Sequence, residues 1–255
     1  MDTQTGLPAV RYSVEIEHLG KRFADDAPVV LEDLNLKVAR GEFVSVLGAS
    51  GCGKSTLLNI IAGLEAPSAG FLTVPADGSA LMFQDAALFP WLSARGNVEL
   101  ALELRGVARP RRRAKALELL DLVHLAEAAE KRPHELSGGM RQRVALARAL
   151  AQDKEVLLMD EPFAALDAIT RDLLHDELER VWRETGRTII FITHNVREAV
   201  RLGQRVVLLS SRPGRVAAEW PVVVDGPRRI ESPEVANLAA EITEHLREEI
   251  RRHAA

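Results

Sequence analysis

Residues of the types that bind phosphate stand together in the stretch GASGCGKST. Glycines let backbone N–H groups close around phosphate oxygens, Lys54 can neutralise their charge, and the Ser55 hydroxyl can bind Mg²⁺. An apolar run, FVSVL, precedes the stretch and a helical pattern, KSTLLNII, follows it. This strand–loop–helix context predicts a phosphate-binding loop for a nucleotide. The predicted contacts are Gly48, Ala49, Ser50, Gly51, Cys52, Gly53, Lys54, Ser55 and Thr56.

Two carboxylates follow a second apolar run, in VLLMDEP. Ligands of open α/β sheets bind at the carboxyl ends of the strands, which is where Asp160 and Glu161 would lie. A lone Asp–Glu pair is usually a solvated turn, but a phosphate-binding loop upstream favours chemistry. We expect Asp160 to support the Mg²⁺ shell and Glu161 to orient an attacking water as a general base.

Three more polar residues follow apolar runs in the same way. Gln84 comes after SALMF, His194 after TIIFIT, and Asp167 lies in FAALDA, just past the two acids. Each is weak by itself, because a histidine at a strand end is more often a capped or exposed residue than a catalytic one. Together they would gather at one sheet edge, near the γ-phosphate.

A second helix start suited to an anion lies in ELSGGMRQRVALARAL. Ser137 is a good N-cap, and Gly138 and Gly139 leave the first N–H groups accessible. A simple capped helix explains the same residues, and physical reasoning alone favours that explanation. Phe23 also has two interpretations, because its ring could stack on a purine or belong to the core.

Hydrophobic periodicity predicts the elements that position these residues. Alternation predicts strands from about Val10 to Val46, and i, i+3, i+4 spacing predicts helices from about Leu92 to Leu150. Short apolar runs after that predict buried strands. We therefore predict an α/β fold with a P-loop NTPase core, a β-rich N-terminal subdomain and an inserted helical subdomain at about 90–150. The nucleotide-binding domain would span 12–240, and 241–255 would form a charged, amphipathic helical tail.

Composition narrows the classes of protein. The chain has 255 residues and a formal net charge of -4, which gives no support to sequence-wide nucleic-acid binding. Its only cysteine is Cys52, so no internal disulfide can form, and no neighbouring His or acid would activate the thiol. We expect no signal peptide in MDTQTGLPAV and no membrane-spanning helix.

Taken together, these motifs resemble the ATP-binding subunits of ABC transporters over nearly the whole chain. The phosphate-binding loop, Gln84, LSGGM, LLMDEP, ALD and ITH occur in that family's order and approximate spacing. The chain departs from the family at two positions, because Met140 stands where Gln is usual and Asn195 where Asp is commoner. Neither change removes a backbone donor.

The resemblance implies that ATP lies between the phosphate-binding loop of one subunit and the LSGGM segment of a second copy. That segment would contact ATP through Ser137, Gly138, Gly139 and Met140. The resemblance further implies that Phe23 stacks on adenine and that Gln84, with Ser55 and Asp160, binds and senses Mg²⁺. It implies that Glu161 is catalytic and that His194 is a switch that contacts the γ-phosphate. Asp167 would communicate across the dimer.

Finer features resemble the nitrate, sulfonate and taurine importer branch, notably FQDAALFPWLSARGNV and VVLLSSRPGRV. This implies uptake of a small oxyanion or organosulfonate through a separate permease, with a solute-binding protein as an indirect partner. The subunit would lie peripherally on the cytoplasmic face of the inner membrane. The region of Leu88 to Leu92 would receive the permease's coupling helix, or would be core. The alternative is a soluble ABC-type ATPase acting on nucleic acid or ribosomes, for which the basic run ARPRRRAK is the best support.

Overall fold

The computed structural model describes residues 11–224, 228 and 232–254. Within these residues two β-sheets and a set of helices enclose three clusters of buried apolar side chains. The strands are β1 (Tyr12–Lys21), β2 (Leu31–Ala39), β3 (Phe43–Gly48), β4 (Ala69–Thr73), β5 (Ser79–Met82), β6 (Val156–Asp160), β7 (Thr188–Ile192), β8 (Arg205–Leu209) and β9 (Val216–Pro221).

The helices occupy the connections between strands and the C-terminal segment. They are α1 (Lys54–Ile61), α2 (Ala94–Leu104), α3 (Arg109–Leu122), α4 (Gly138–Ala151), α5 (Ala168–Thr185), α6 (Val196–Leu202) and α7 (Pro233–Ala254), with 3₁₀ turns at Ala126–Ala128 and Pro133–Glu135. None of the helices in the described part of the chain is both long and apolar enough to cross a membrane.

The larger sheet carries the phosphate-binding loop. Its order is β5-β6-β7-β3-β8-β9, with every pair parallel except β8 and β9. β3 and β7 are buried along their whole length, which explains why their sequences read as continuous apolar runs rather than alternating ones. Parallel strands end at the same edge, so β3, β6 and β7 bring Gly48, Asp160 and Ile192 together there.

The smaller sheet is antiparallel, with order β2-β1-β4. β2 buries alternate residues, as its sequence pattern predicts. Its apolar face shares one core with α1 and one face of the larger sheet. β4 and α6 did not stand out in the sequence, because β4 has five residues and α6 has seven, which is too short for either period to be clear.

The opposite face of the larger sheet packs against α5 and the block of α2, α3 and α4. A third cluster joins α6 and β8 to α7, through Val235, Ala239 and Ile242. The apolar side of α7 is therefore fixed to the core. The predicted boundary at residue 241 falls inside this helix.

A candidate nucleotide-binding site at the edge of the parallel sheet

The loop after β3 takes a backbone shape that requires glycine. Gly51 and Gly53 have φ of 76° and 101°, a region that favours residues without a Cβ. A Cβ on Gly53 would lie 2.6 Å from Leu31 Cδ2, so the start of β2 also excludes a side chain there. The N–H groups of this loop can therefore lie close to a bound anion.

Lys54 begins α1, and its side chain reaches back across the loop. Its Nζ donates to the carbonyl oxygens of Gly48, at 2.8 Å, and Ala49, at 3.1 Å. No side chain caps the N-terminus of α1, since Gly53 is the N-cap residue. A cation and the positive end of a helix dipole thus meet at one place. Burial raises the pKa of the neighbouring Cys52 thiol, which favours its neutral form.

Asp160 ends β6 beside the first turn of α1. Burial raises the pKa of its carboxyl group, while a hydrogen bond from the Ser55 hydroxyl and the charge of Lys54 lower it; the nearby Glu161 charge raises it further. The structure thus brings together the hydroxyl and the carboxylate that the sequence predicts as Mg²⁺ ligands. Hydroxyl and carboxylate oxygens suit Mg²⁺, which commonly keeps phosphate and water as its other ligands.

Glu161 and His194 form a direct pair, with 2.8 Å between Glu161 Oε2 and His194 Nδ1. Glu161 has a φ of 44°, and its N–H donates to Ile192 O at 3.0 Å. Such a left-handed conformation is strained for a glutamate and persists where surrounding structure enforces it, often at functional sites. The imidazole of His194 is 64% exposed, so it faces open space rather than the core.

Lys54, Ser55, Glu161 and His194 line one cleft of about 490 Å³. Phe23 stands at its side with 58% of its surface exposed, so it is not a core residue. Lys21 Nζ lies 4.8 Å from the centre of the Phe23 ring and is itself held by Glu65 and Ala66 O. The lining comprises Phe23, Val30, Ser50, Gly51, Gly53, Lys54, Ser55, Thr56, Glu161 and His194.

Other predicted site residues do not line this cleft, including Gly48, Ala49 and Cys52 of the loop and Asp160 behind Ser55. Gln84 lies beyond the end of β5 with an exposed side chain, and its carbonyl accepts from Gln142 Nε2 at 2.8 Å. Ser137 caps α4 by accepting from Met140 N at 3.3 Å. Asp167 caps α5 by accepting from Thr170 N at 3.0 Å, and this bond lowers the pKa of its carboxyl group.

Gly138 and Gly139 open α4 against the start of α5. A Cβ on Gly139 would lie 2.5 Å from Thr170 Cγ2, and one on Gly138 would lie 3.2 Å from Leu166 Cδ2. The double glycine therefore has a packing reason, which the sequence alone did not reveal. The N-terminus of α4 is consequently fixed relative to the loop that carries Asp167.

Sequence reasoning missed several residues that shape the site. Val30, just before β2, lines the cleft. Arg212, in the loop after β8, donates from Nε to Gly51 O at a distance of 3.2 Å. Gln142 lies on the helical face of α4 that meets Gln84. Arg212 falls in the stretch SSRPGRV, whose sequence predicts no contact with the phosphate-binding loop.

Comparison with known proteins places these features in a family. The pattern of the family described as ABC transporter matches residues 31–164, which is more than half of the chain. A taurine import ATP-binding protein of Sinorhizobium fredii is 50% identical over 202 residues, which cover 76% of each chain. An uncharacterized ABC transporter ATP-binding protein of Methanocaldococcus jannaschii is 40% identical over 250 residues, or 94% of each chain.

Solved structures agree with the sequence comparisons. The dimeric cassette MJ0796, described as a bacterial ABC transporter cassette, has a TM-score of 0.71 and 33% identity and covers 83% of this chain and 99% of its own. The same cassette in a post-hydrolysis state, bound to ADP and Pi, has a TM-score of 0.70. The predicted fold class, family and ATPase activity are confirmed. The chain belongs to the ABC transporter family and is an ATPase of that family.

Proposed function

We propose that two copies of this chain hydrolyse ATP between them and that this hydrolysis drives import through a separate permease. The observation that carries the proposal is the division of the site residues. The phosphate-binding loop meets Glu161 and His194 in one cleft, with Asp160 beside Ser55. The N-terminus of α4, in contrast, contributes no residue to that cleft.

ATP would bind with its phosphates on the loop from Gly48 to Thr56 and its adenine on Phe23. Lys54 would exchange its hydrogen bonds to Gly48 and Ala49 for phosphate oxygens, which attract an ammonium more strongly than neutral carbonyls do. Ser55 and Asp160 would hold Mg²⁺, with Gln84 as a further ligand. The Mg²⁺ ion would neutralise phosphate charge.

Glu161 would accept the proton of the attacking water, and His194 would donate a hydrogen bond to the γ-phosphate. Their 2.8 Å contact keeps the two side chains in one place, at the edge where the strands end. Since phosphoryl transfer depends mainly on positioning and on charge stabilisation, this fixed geometry is the chain's main contribution to the chemistry.

The second copy would supply Ser137, Gly138, Gly139 and Met140 to the same ATP, and Asp167 would report across the dimer. A helix N-terminus favours an anion, and α4 has no acidic residue in its first turn to compete with one. The solved dimeric cassettes of the same fold support this arrangement.

The permease would dock on an apolar groove beside α2. The groove measures about 500 Å³ and is lined by Phe83, Phe89, Leu104 and Arg148, among others. Leu104 is 82% exposed, and Trp91 packs on Phe89 with 5.4 Å between ring centres. Arg148 holds the nearby backbone through Ala86 O and Ala87 O, which ties the groove to α4.

The transported solute would be taurine or a related organosulfonate, because relatives of about half identity carry the name taurine import ATP-binding protein. A solute-binding protein would deliver it, and the subunit would lie peripherally on the cytoplasmic face of the inner membrane. The nucleic-acid alternative is not favoured, because the import names of these relatives point to transport. In addition, Arg112 of the basic run pairs with Glu103 at 2.9 Å.

Uptake of labelled taurine tests the import proposal. Cells without this chain should lose uptake of taurine or of an alkanesulfonate, and the wild-type chain should restore it while Glu161→Gln should not. Tagged chain should co-purify with a membrane permease. Normal uptake of taurine, alkanesulfonates and nitrate in the deletion strain, or recovery of bound RNA instead of a permease, would overturn the proposal.

A further inference from the structure

A buried histidine on α5, His175, lies between the two loops that carry Glu161 and His194. Its side chain is only 1% exposed, and both of its ring nitrogens face charged side chains. Neither the motifs nor the proposed catalytic roles account for it.

One side of His175 reaches the His194 loop. Its Nε2 lies 2.6 Å from Glu198 Oε1, and the other oxygen of Glu198 accepts from the Thr193 hydroxyl. Thr193 immediately precedes His194, and its Oγ1 also accepts from Asn195 N at 3.0 Å. The backbone on both sides of His194 is therefore held by a buried chain of hydrogen bonds that starts at His175.

Arg201 determines which nitrogen of His175 carries the proton. Its guanidinium can only donate, and Nη1 lies 3.2 Å from His175 Nδ1. Nδ1 therefore accepts, and Nε2–H donates to Glu198. Both oxygens of the buried Glu198 have partners, His175 and Thr193, so this carboxylate is held in one orientation.

The same face of α5 also reaches the Glu161 loop. Phe163, two residues after Glu161, packs its ring edge-on to the His175 ring, with 5.6 Å between centres. Arg171, one turn before His175 on the same helix face, donates to Phe163 O at 3.3 Å and to Leu166 O at 2.7 Å. One face of α5 thus contacts both loops.

We propose that His175 is a positioning residue that keeps His194 in register with Glu161 through Glu198 and Thr193. The inference rests on the proposed roles of Glu161 and His194. Asp167 caps the N-terminus of α5, so the same helix joins the loop that carries Asp167 to the hydrogen bonds behind His194.

The test is steady-state ATP hydrolysis by the His175→Phe and His175→Gln variants of the full chain. Phenylalanine fills the space without a donor, so we expect kcat to fall about 10- to 100-fold while KM for ATP stays within about twofold. Glutamine retains an N–H donor for Glu198 and should recover most of kcat. Unchanged kcat in His175→Phe, or equal losses in both variants, would overturn the proposal.

Val181→Ala is the matched control. Val181 lies further along α5, is buried in the core and belongs to neither loop. Its replacement should lower the thermal midpoint without lowering kcat. If Val181→Ala reduces kcat as much as His175→Phe does at a similar loss of stability, His175 is only structural.

A double variant separates this inference from the proposed function. If His175 acts through His194, the combination of His175→Phe with His194→Ala should hydrolyse ATP no more than about twofold slower than His194→Ala alone. If the two substitutions instead reduce the hydrolysis rate by factors that multiply, His175 does not act through His194 and the proposal is overturned. Wild-type hydrolysis that is insensitive to Glu161→Gln would instead overturn the proposed function.

Discussion

The N-termini of α1 and α4 both suit an anion, but the molecule treats them differently. α1 begins at a glycine with no side-chain cap, beside Lys54 and in a cleft that its own chain lines. α4 begins at Ser137, whose hydroxyl already accepts from Met140 N, and it lines no part of that cleft. This difference is what the proposed two-copy site predicts: α1 of one chain would bind the phosphates of ATP, and α4 of a second copy would complete the site.

Among the substitutions considered, Glu161→Gln should have the largest effect on ATP hydrolysis. Removing the proposed general base should lower turnover by about 10²–10⁴-fold and leave ATP binding intact, because the amide keeps the shape of the side chain. An ATP-bound dimer should accumulate, as measured by size-exclusion chromatography with bound nucleotide. A stable monomer that retains ATP would count against the two-copy site.

Lys54→Ala and Ser137→Ala should separate the two helix starts. Loss of a charge-assisted contact costs about 1.5–3 kcal/mol, so Lys54→Ala should weaken ATP binding by the monomer roughly 10- to 100-fold. Ser137→Ala should leave monomer binding unchanged and reduce ATP-dependent dimerisation. Equilibrium binding of a fluorescent ATP analogue, at protein concentrations too low for dimerisation, measures the effect of Lys54→Ala. Binding as tight as that of the wild type would contradict the assignment of Lys54 to the phosphates of ATP.

Gly139→Ala should show that α4 is placed by packing as well as by its cap. The new methyl would lie about as close as 2.5 Å to Thr170 Cγ2, and such overpacking costs about 1–3 kcal/mol of unfolding free energy. Thermal or urea unfolding should show the loss, with Gly138→Ala, at 3.2 Å from Leu166, as the milder control.

Thr170→Ser removes the clashing methyl group and keeps the hydroxyl. It should therefore restore much of the stability lost by Gly139→Ala. A double variant as unstable as Gly139→Ala alone would show that the contact with α5 is not the cause.

Asp160→Asn should have the smallest effect on stability. Burial raises the pKa of the Asp160 carboxyl group, so its ionised form is disfavoured in the folded chain. The ionised carboxylate therefore lowers the free energy of unfolding at neutral pH, and this destabilisation disappears below about pH 4, where the group is protonated in both states. Without nucleotide the variant should melt slightly higher than wild type at pH 7, and the gap should close toward pH 4. Mg²⁺-dependent hydrolysis should nevertheless be lost. A lower midpoint at pH 7 would contradict the balance of burial over the Ser55 and Lys54 contacts.

The sequence by itself determined the fold class, the family and several of the residues that line the cleft, among them Lys54, Glu161 and His194. Apolar runs of strand length ending in Gly48, Asp160 and Ile192 predict a parallel sheet, and such a sheet places its carboxyl ends at one edge for geometric reasons. The exposed position of Phe23 did not follow from its local sequence, which allowed a core residue equally well.

Only the tertiary structure decided contacts between segments far apart in the chain. The closeness of Gly139 to Thr170, the bond from Gln142 to Gln84 and the chain from His175 to Thr193 each join residues on different elements. Periodicity shows which face of a helix is apolar, but it does not show which partner that face meets or where a buried polar group finds its hydrogen bond. These contacts depend on how whole elements pack together, and so they become visible only once the chain is folded.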